Sequence, residues 1–291
     1  MAASISNSNG ITREKLVQRV LMASIIVICV TSDAFLAQQE FMKDYKLLRH
    51  LIDSGAHGAV GFCCWGVFLC QTERKRLHRA NRSSSCSPDI ESNSPANTAG
   101  SDDQQPWLAF LKRCVLAGVT ASLLDVDHFI AAGSFSISGA THLKHRPFGH
   151  TVTFIVAVAV LVYNCSSCSQ PLATKTRRVC FVVVTLLSHQ LRDGMRLGLW
   201  FWPLGSTPPI QYLLYLMMEE ALPFVMAYWQ NRVVTKSNQR QQRSGFEAID
   251  HSDGDEDEGE KQGQWVFVAD SSHVELRVIT IRGSSDNDDD K

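Results

Sequence analysis

The sequence has no phosphate-cradling glycine loop, no Gly-x-Ser-x-Gly nucleophile elbow and no second Cys-x-x-Cys to complete a zinc knuckle. P-loop nucleotide chemistry, serine-elbow hydrolysis and zinc-finger recognition therefore drop out of consideration. An excess of one charge is lacking as well: 28 Lys and Arg face 29 Asp and Glu, for a net charge of −1. No nucleic-acid partner is expected from that balance, and the basic run at 74–82 reads as a solvated loop. A disulfide framework is also missing. Of nine cysteines, Cys29, Cys63, Cys64, Cys70, Cys114 and Cys180 fall in or beside apolar runs, where a thiol acts as a small hydrophobe, and Cys165 and Cys168 form a single unpaired motif. No cleavable signal peptide is evident, because the first apolar run lies behind a polar stretch and is not followed by a small-residue cleavage site. It is read as a retained first span.

What the chain does have is apolar runs separated by charged loops. A bilayer core takes about 20 helical residues, with a usual range of about 17–25. Six segments qualify, at roughly 20–37, 55–71, 114–133, 149–165, 179–199 and 210–230. The expected fold class is therefore all-α: a polytopic helical membrane bundle of about six spans. It comprises an N-terminal segment at 1–19, a six-span domain at 20–235 with a polar insert at 72–106, and an acidic tail at 236–291. Lys and Arg set the orientation. Arg13, Lys15 and Arg19 precede the first span, and Arg74, Lys75, Arg76, Arg79 and Arg82 follow the second. Lys175, Arg177 and Arg178 follow the fourth, and Arg232, Lys236, Arg240 and Arg243 the sixth. Both termini are expected on the cytoplasmic side. The sequons at Asn81 and Asn164 fall on that same side and are expected to stay bare.

That topology brings an unusual set of residues to one face. Charged groups within a span cost about 2.5–3.5 kcal/mol each on insertion scales, so they call for partners or a purpose. Odd spans end, and even spans begin, on the non-cytoplasmic side. Asp33, His57, Asp125, Asp127, His128, His150, His189 and Asp193 all reach that face. His189 and Asp193 are four apart and share a helix face; Asp125 and His128, three apart, also do. Asp125 and Asp127 cannot share one on an ideal helix, so Asp127 is expected to orient a ligand or, where the helix frays, to be one, and it is the candidate general base. Imidazole mixed with carboxylate suits a divalent metal such as zinc or manganese. The expected metal ligands are His57, Asp125, His128, His150, His189 and Asp193, and Arg146 and Arg192 beside them suit an anionic group. The alternative is a polar network that only locks helices together or holds a structural ion. Glu219 and Glu220, within the sixth span before Pro223, form a separate pair with a transport or packing role.

The same segments carry a resemblance. Asp125-Val126-Asp127-His128-Phe129 with Ala132-Gly133-Ser134, Arg146-Pro147-Phe148 followed by His150, and Ser188-His189 with Arg192-Asp193-Gly194 and Gly198-Leu199-Trp200 resemble the transmembrane protein 267 family. The resemblance covers roughly residues 15–232 and implies a multi-pass membrane protein. The pattern also looks like that of bacterial LexA-regulated inner-membrane metal-dependent hydrolases. His57-Gly58 matches an early His-Gly helix, Asp125, Asp127 and His128 an Asp-x-Asp-His box, and His145-Arg146 with His150-Thr151 a third box. Ser188-His189 with Asp193 matches a Ser-His-x-x-x-Asp box. Pro147 stands where that pattern has glycine, and Gly149 where it has threonine. This likeness implies a divalent-metal-dependent hydrolase; the substrate expected for such a site at the non-cytoplasmic membrane surface is a lipid or phosphoester, its anionic group held by Arg146 or Arg192.

In the tail, acidic runs at 253–260 and 286–290 read as solvated charge. Strand-like composition between them, at 265–281, is read as a hairpin or a strand offered to a cytoplasmic partner.

Overall fold

The computed structural model describes residues 2–38, 45–84, 106–136, 139, 143, 146–167, 169–250, 265–270 and 273–278. The acidic runs, most of the polar insert (85–105), His145 and Cys168 lie outside the described residues. Two units separate at Gln239/Arg240.

The first unit is helical. Its elements are α1 (Ala2–Leu36), α2 (Lys46–Ser84), α3 (Pro106–Leu123), the short α4 (Val126–Ala132), α5 (Val152–Cys165), α6 (Leu172–Leu197) and α7 (Tyr212–Asp250), the last running on past the boundary between units. α2 is the central helix, packed against α1, α3 and α6, while α6 also receives α3 and α5. Small residues let α2 and α3 approach closely. A side chain at Gly58 would run into Ser122 and one at Gly118 would meet the Gly58 carbonyl, while Gly61 lies against Ala121. The Ser122 hydroxyl donates to the Ser54 carbonyl across the same contact at 2.8 Å. Small-residue contacts with side-chain-to-backbone bonds are the packing expected where lipid removes the hydrophobic drive between helices.

Around an apolar core that includes Ile25, Val60, Phe68, Leu69, Leu191 and Tyr215, polarity is distributed unlike that of a water-soluble bundle. Val20, Ile26, Val27 and Val30 of α1, Val115, Leu116 and Val119 of α3, and Val156, Val160 and Leu161 of α5 all face outward. His57, Thr185, Ser188, His189, Gln190, Arg192 and Glu219 are buried. Apolar surface of that extent belongs against lipid or a partner. Among the described residues, two helical stretches, Arg13–Leu36 and Trp107–Ala132, are long and apolar enough to cross a bilayer, and Val152–Cys165 is a shorter apolar helix. α2, α6 and α7 fall short of that apolarity because they turn polar side chains into the bundle. An expected count of six spans thus exceeds the number of helices that qualify by length and composition.

Two local features break the helices where the site forms. The third expected span is not continuous: α3 stops at Leu123 and α4 restarts at Val126. Tightened bonds bridge the corner, from the amides of Asp125, Asp127 and His128 to the carbonyls three residues before each. α5 starts behind a single helical turn, Phe148–His150, and Thr151 caps it by accepting from the Phe154 amide at 2.9 Å. A small hairpin, β1 (Trp200–Phe201) with β2 (Gly205–Ser206), follows α6; the sequence reading had no strand there.

In the second unit, β3 (Trp265–Asp270) pairs antiparallel with β4 (His273–Val278), from Trp265 opposite Val278 to Asp270 opposite His273.

Candidate metal centre

Four segments contribute to one cluster: α2 with His57, the α3–α4 corner with Asp125, Asp127 and His128, the turn before α5 with His150, and α6 with His189 and Asp193. Their ligand atoms fall into three groups, each with all its members within 4.8 Å of one another. These are His57, Asp125 and His189; Asp125, His128 and His150; and His150, His189 and Asp193. All six residues that the sequence offers as metal ligands are brought together.

The centre of the cluster is tight. His150 Nε2 lies 3.1 Å from His189 Nε2. Asp193 Oδ2 is 3.4 Å from the former and 3.5 Å from the latter. Asp125 Oδ1 is 3.8 Å from His150 Nε2 and 3.5 Å from His189 Nε2. Ligand atoms held tetrahedrally at about 2.0–2.2 Å from an ion sit about 3.3–3.6 Å apart, and these five distances fall close to that range.

The proton positions can be argued from the partners. His189 Nδ1 is 2.9 Å from the Ala121 carbonyl oxygen, which only accepts, so Nδ1–H is the donor there. His150 Nδ1 donates to Asp127 Oδ2 at 3.0 Å. In the neutral imidazoles both protons are then used, and two Nε2 lone pairs face each other across 3.1 Å in a buried site. Lone pairs so placed repel unless positive charge, a proton on one of the rings or bound cations, compensates them. The Asp127–His150 and Ala121–His189 bonds are the orienting contacts that a metal-bound imidazole needs on its far nitrogen.

His57 completes the wall, its ring stacked on His189 at 3.8 Å between centroids and its Nε2 3.5 Å from Asp193 Oδ1. His128 stands edge-on to His150, with centroids 4.6 Å apart. Gly149 makes room for the arrangement, since a Cβ there would collide with the Asp127 carboxylate. The departure from the bacterial pattern at residue 149 therefore has a steric counterpart in this chain.

The two arginines meet protein groups. Arg146 donates to the carbonyls of Leu197 and Gly198 at the end of α6. Arg192, fully buried, donates to Asp33 at 2.8 Å and to the Asp53 carbonyl at 3.3 Å. Arg196 reaches both Asp53 carboxylate oxygens at 2.9 and 3.0 Å. Asp53 and Arg196 escaped the sequence reading. Their signal was spacing alone, Asp53 four residues before His57 and Arg196 three after Asp193. Glu219 is buried apart from this cluster, with its Oε2 3.8 Å from the Cys64 thiol.

Comparison with known proteins agrees with this architecture. A family described as YdjM inner membrane protein matches residues 52–248, a stretch that includes every residue of the cluster. The chain belongs to that family. It is also similar to transmembrane protein 267 of Danio rerio, at 30% identity over 209 residues, 69% of this chain and 75% of the relative. The protein of the same name from Xenopus laevis is 31% identical over 201 residues, 68% and 75% of the two chains. That from Mus musculus is 37% identical over 115 residues, 39% and 53%. No solved structure matches. A membrane protein is what the family and the outward apolar helices together give, with a buried His/Asp cluster able to hold a metal ion.

Proposed function

We propose that this family member is a six-span membrane protein with both termini cytoplasmic, whose His/Asp cluster holds a divalent cation, zinc or manganese, and hydrolyses a lipid or other phosphoester. The observation that carries the reading is the pair of opposed Nε2 atoms of His150 and His189, 3.1 Å apart with their other nitrogens already donating. When bound, such an ion supplies Lewis acidity, enough to bring the pKa of a water ligand to about 7. Asp127 holds His150 in register through Oδ2, while its buried Oδ1 has no hydrogen-bond partner among the described residues and is available to accept a proton. Asp125, with more exposure than the imidazoles, marks the side from which a substrate reaches the cluster. Arg192 and Arg196 fix Asp53 and, through Arg196, lie 3.5 Å from Asp193. They act as positioning residues here; the anionic substrate group is assigned to the metal.

The test is metal content of detergent-purified protein, comparing wild type with His189→Ala and Asp125→Ala. Wild type is expected to retain a stoichiometric transition metal that both variants lose. Protein that takes up no metal under saturating conditions rules the reading out. The buried Arg192–Asp33–Asp53 network favours a second reading, a structural ion in a non-catalytic membrane protein. Metal retention with no turnover across phospholipid and phosphomonoester substrates selects it.

A further inference from the structure

A single tetrahedral ion uses four donors, and this cluster has seven imidazoles and carboxylates. The group of His57, Asp125 and His189 and the group of Asp125, His128 and His150 have only Asp125 in common. Asp193 spans the same division: its Oδ1 lies 3.5 Å from His57 Nε2, and its Oδ2 lies 3.4 Å from His150 Nε2. The donor set is thus elongated, with one imidazole pair, His57 stacked on His189, at one end and a second pair, His128 edge-on to His150, at the other. Two carboxylates lie between the pairs, each with two oxygens to offer.

We propose that the cluster is a dinuclear site, in which Asp125 and Asp193 bridge two divalent cations, one held by His57 and His189 and the other by His128 and His150. This rests on the metal-binding reading above and goes beyond it by assigning the number of ions and the ligand chemistry. Bridged ions about 3.5–4 Å apart hold the attacking and leaving oxygens of a phosphoryl group together. A phosphate ester is therefore the substrate class that such a pair fits, in preference to a carboxylic ester. Asp127 keeps its place outside both ions, on the far nitrogen of His150.

The full-length protein, purified in detergent and dialysed against manganese, gives two separate readouts. Elemental analysis is expected to find two manganese per chain in wild type and one in His128→Ala. Low-temperature electron paramagnetic resonance is expected to show an exchange-coupled pair in wild type, replaced in His128→Ala by the six-line spectrum of an isolated ion. One manganese per chain in wild type, with an uncoupled spectrum, overturns the dinuclear site while leaving metal binding intact. No manganese and no zinc at all overturns both readings. Because wild type alone decides the matter, a misfolded variant does not remove the test. Inorganic phosphate added to the loaded wild type is expected to perturb the coupled spectrum, and an unchanged spectrum removes the phosphate-ester assignment.

Discussion

At the scale of single residues, the contacts that tune the cluster lie on atoms the sequence does not advertise. Asp127 touches the site through one bond to His150, and that bond exists because residue 149 has no side chain. Asp127→Asn and Gly149→Ala should each weaken metal affinity about 10–100-fold, the usual cost of losing an outer partner of a ligating histidine. Competition with a fluorescent chelator measures it, and affinity unchanged in both variants removes Asp127 from the site. The imidazoles and carboxylates themselves were legible, because residue type and the i, i+4 spacing of His189 and Asp193 survive in a linear string. The Ala121 carbonyl that orients His189 was not, since any residue supplies a carbonyl and only the α3–α6 contact selects this one. Acidification should release the ion. Protonation of an imidazole competes with coordination, so metal retained after equilibration should fall steadily as the pH is lowered, and retention independent of pH would remove the histidines as ligands.

At the scale of elements, the helices follow their apolar runs, whereas the break between α3 and α4 was hidden. Residues 114–133 read as one span because Leu124 and Val126 keep the run apolar around Asp125. Only the packed structure shows the chain turning there so that Asp125, Asp127 and His128 all reach the site. Likewise, α2, α6 and α7 look weak as spans because their polar faces are buried. Arg192 ties α6 to α1 through Asp33 and to α2 through Asp53. Arg192→Ala leaves the partly buried Asp33 carboxylate without its cation, while Asp53 keeps Arg196, and should destabilise the bundle by about 3 kcal/mol. Unfolding in mixed detergent micelles reads this out, and a loss well under 1 kcal/mol would mean that the arginine is not structural. At the α2–α3 crossing, Gly118→Val forces a side chain into the Gly58 backbone and should cost about 1–3 kcal/mol by overpacking.

At the scale of the whole molecule, orientation is the property on which the proposed chemistry depends. In the proposed orientation, with both termini cytoplasmic, the cluster opens on the opposite side from the sequons at Asn81 and Asn164. Translation into microsomes should therefore leave both asparagines unglycosylated, and an endoglycosidase-sensitive shift traced to Asn81 would invert the topology. That the chain is an all-α membrane protein, and that these imidazoles and carboxylates lie together, was legible in the sequence, because apolar runs with His and Asp at their ends are a one-dimensional signal. The three-dimensional tightness was not, being set by small-residue contacts and by the carbonyls they bring into range.

The corner between α3 and α4, the turn before α5 and the two long helices α2 and α6 each supply donors to one cluster, from positions as far apart as His57 and Asp193. An unfolded chain cannot reproduce that meeting, so an ion that binds it favours assembly by mass action. Each tenfold rise in free ion above the dissociation constant should add about 1.4 kcal/mol to the resistance of the bundle to unfolding. Chelation would then act as a destabilising agent, and a cell's supply of the metal would govern how much of the protein survives quality control.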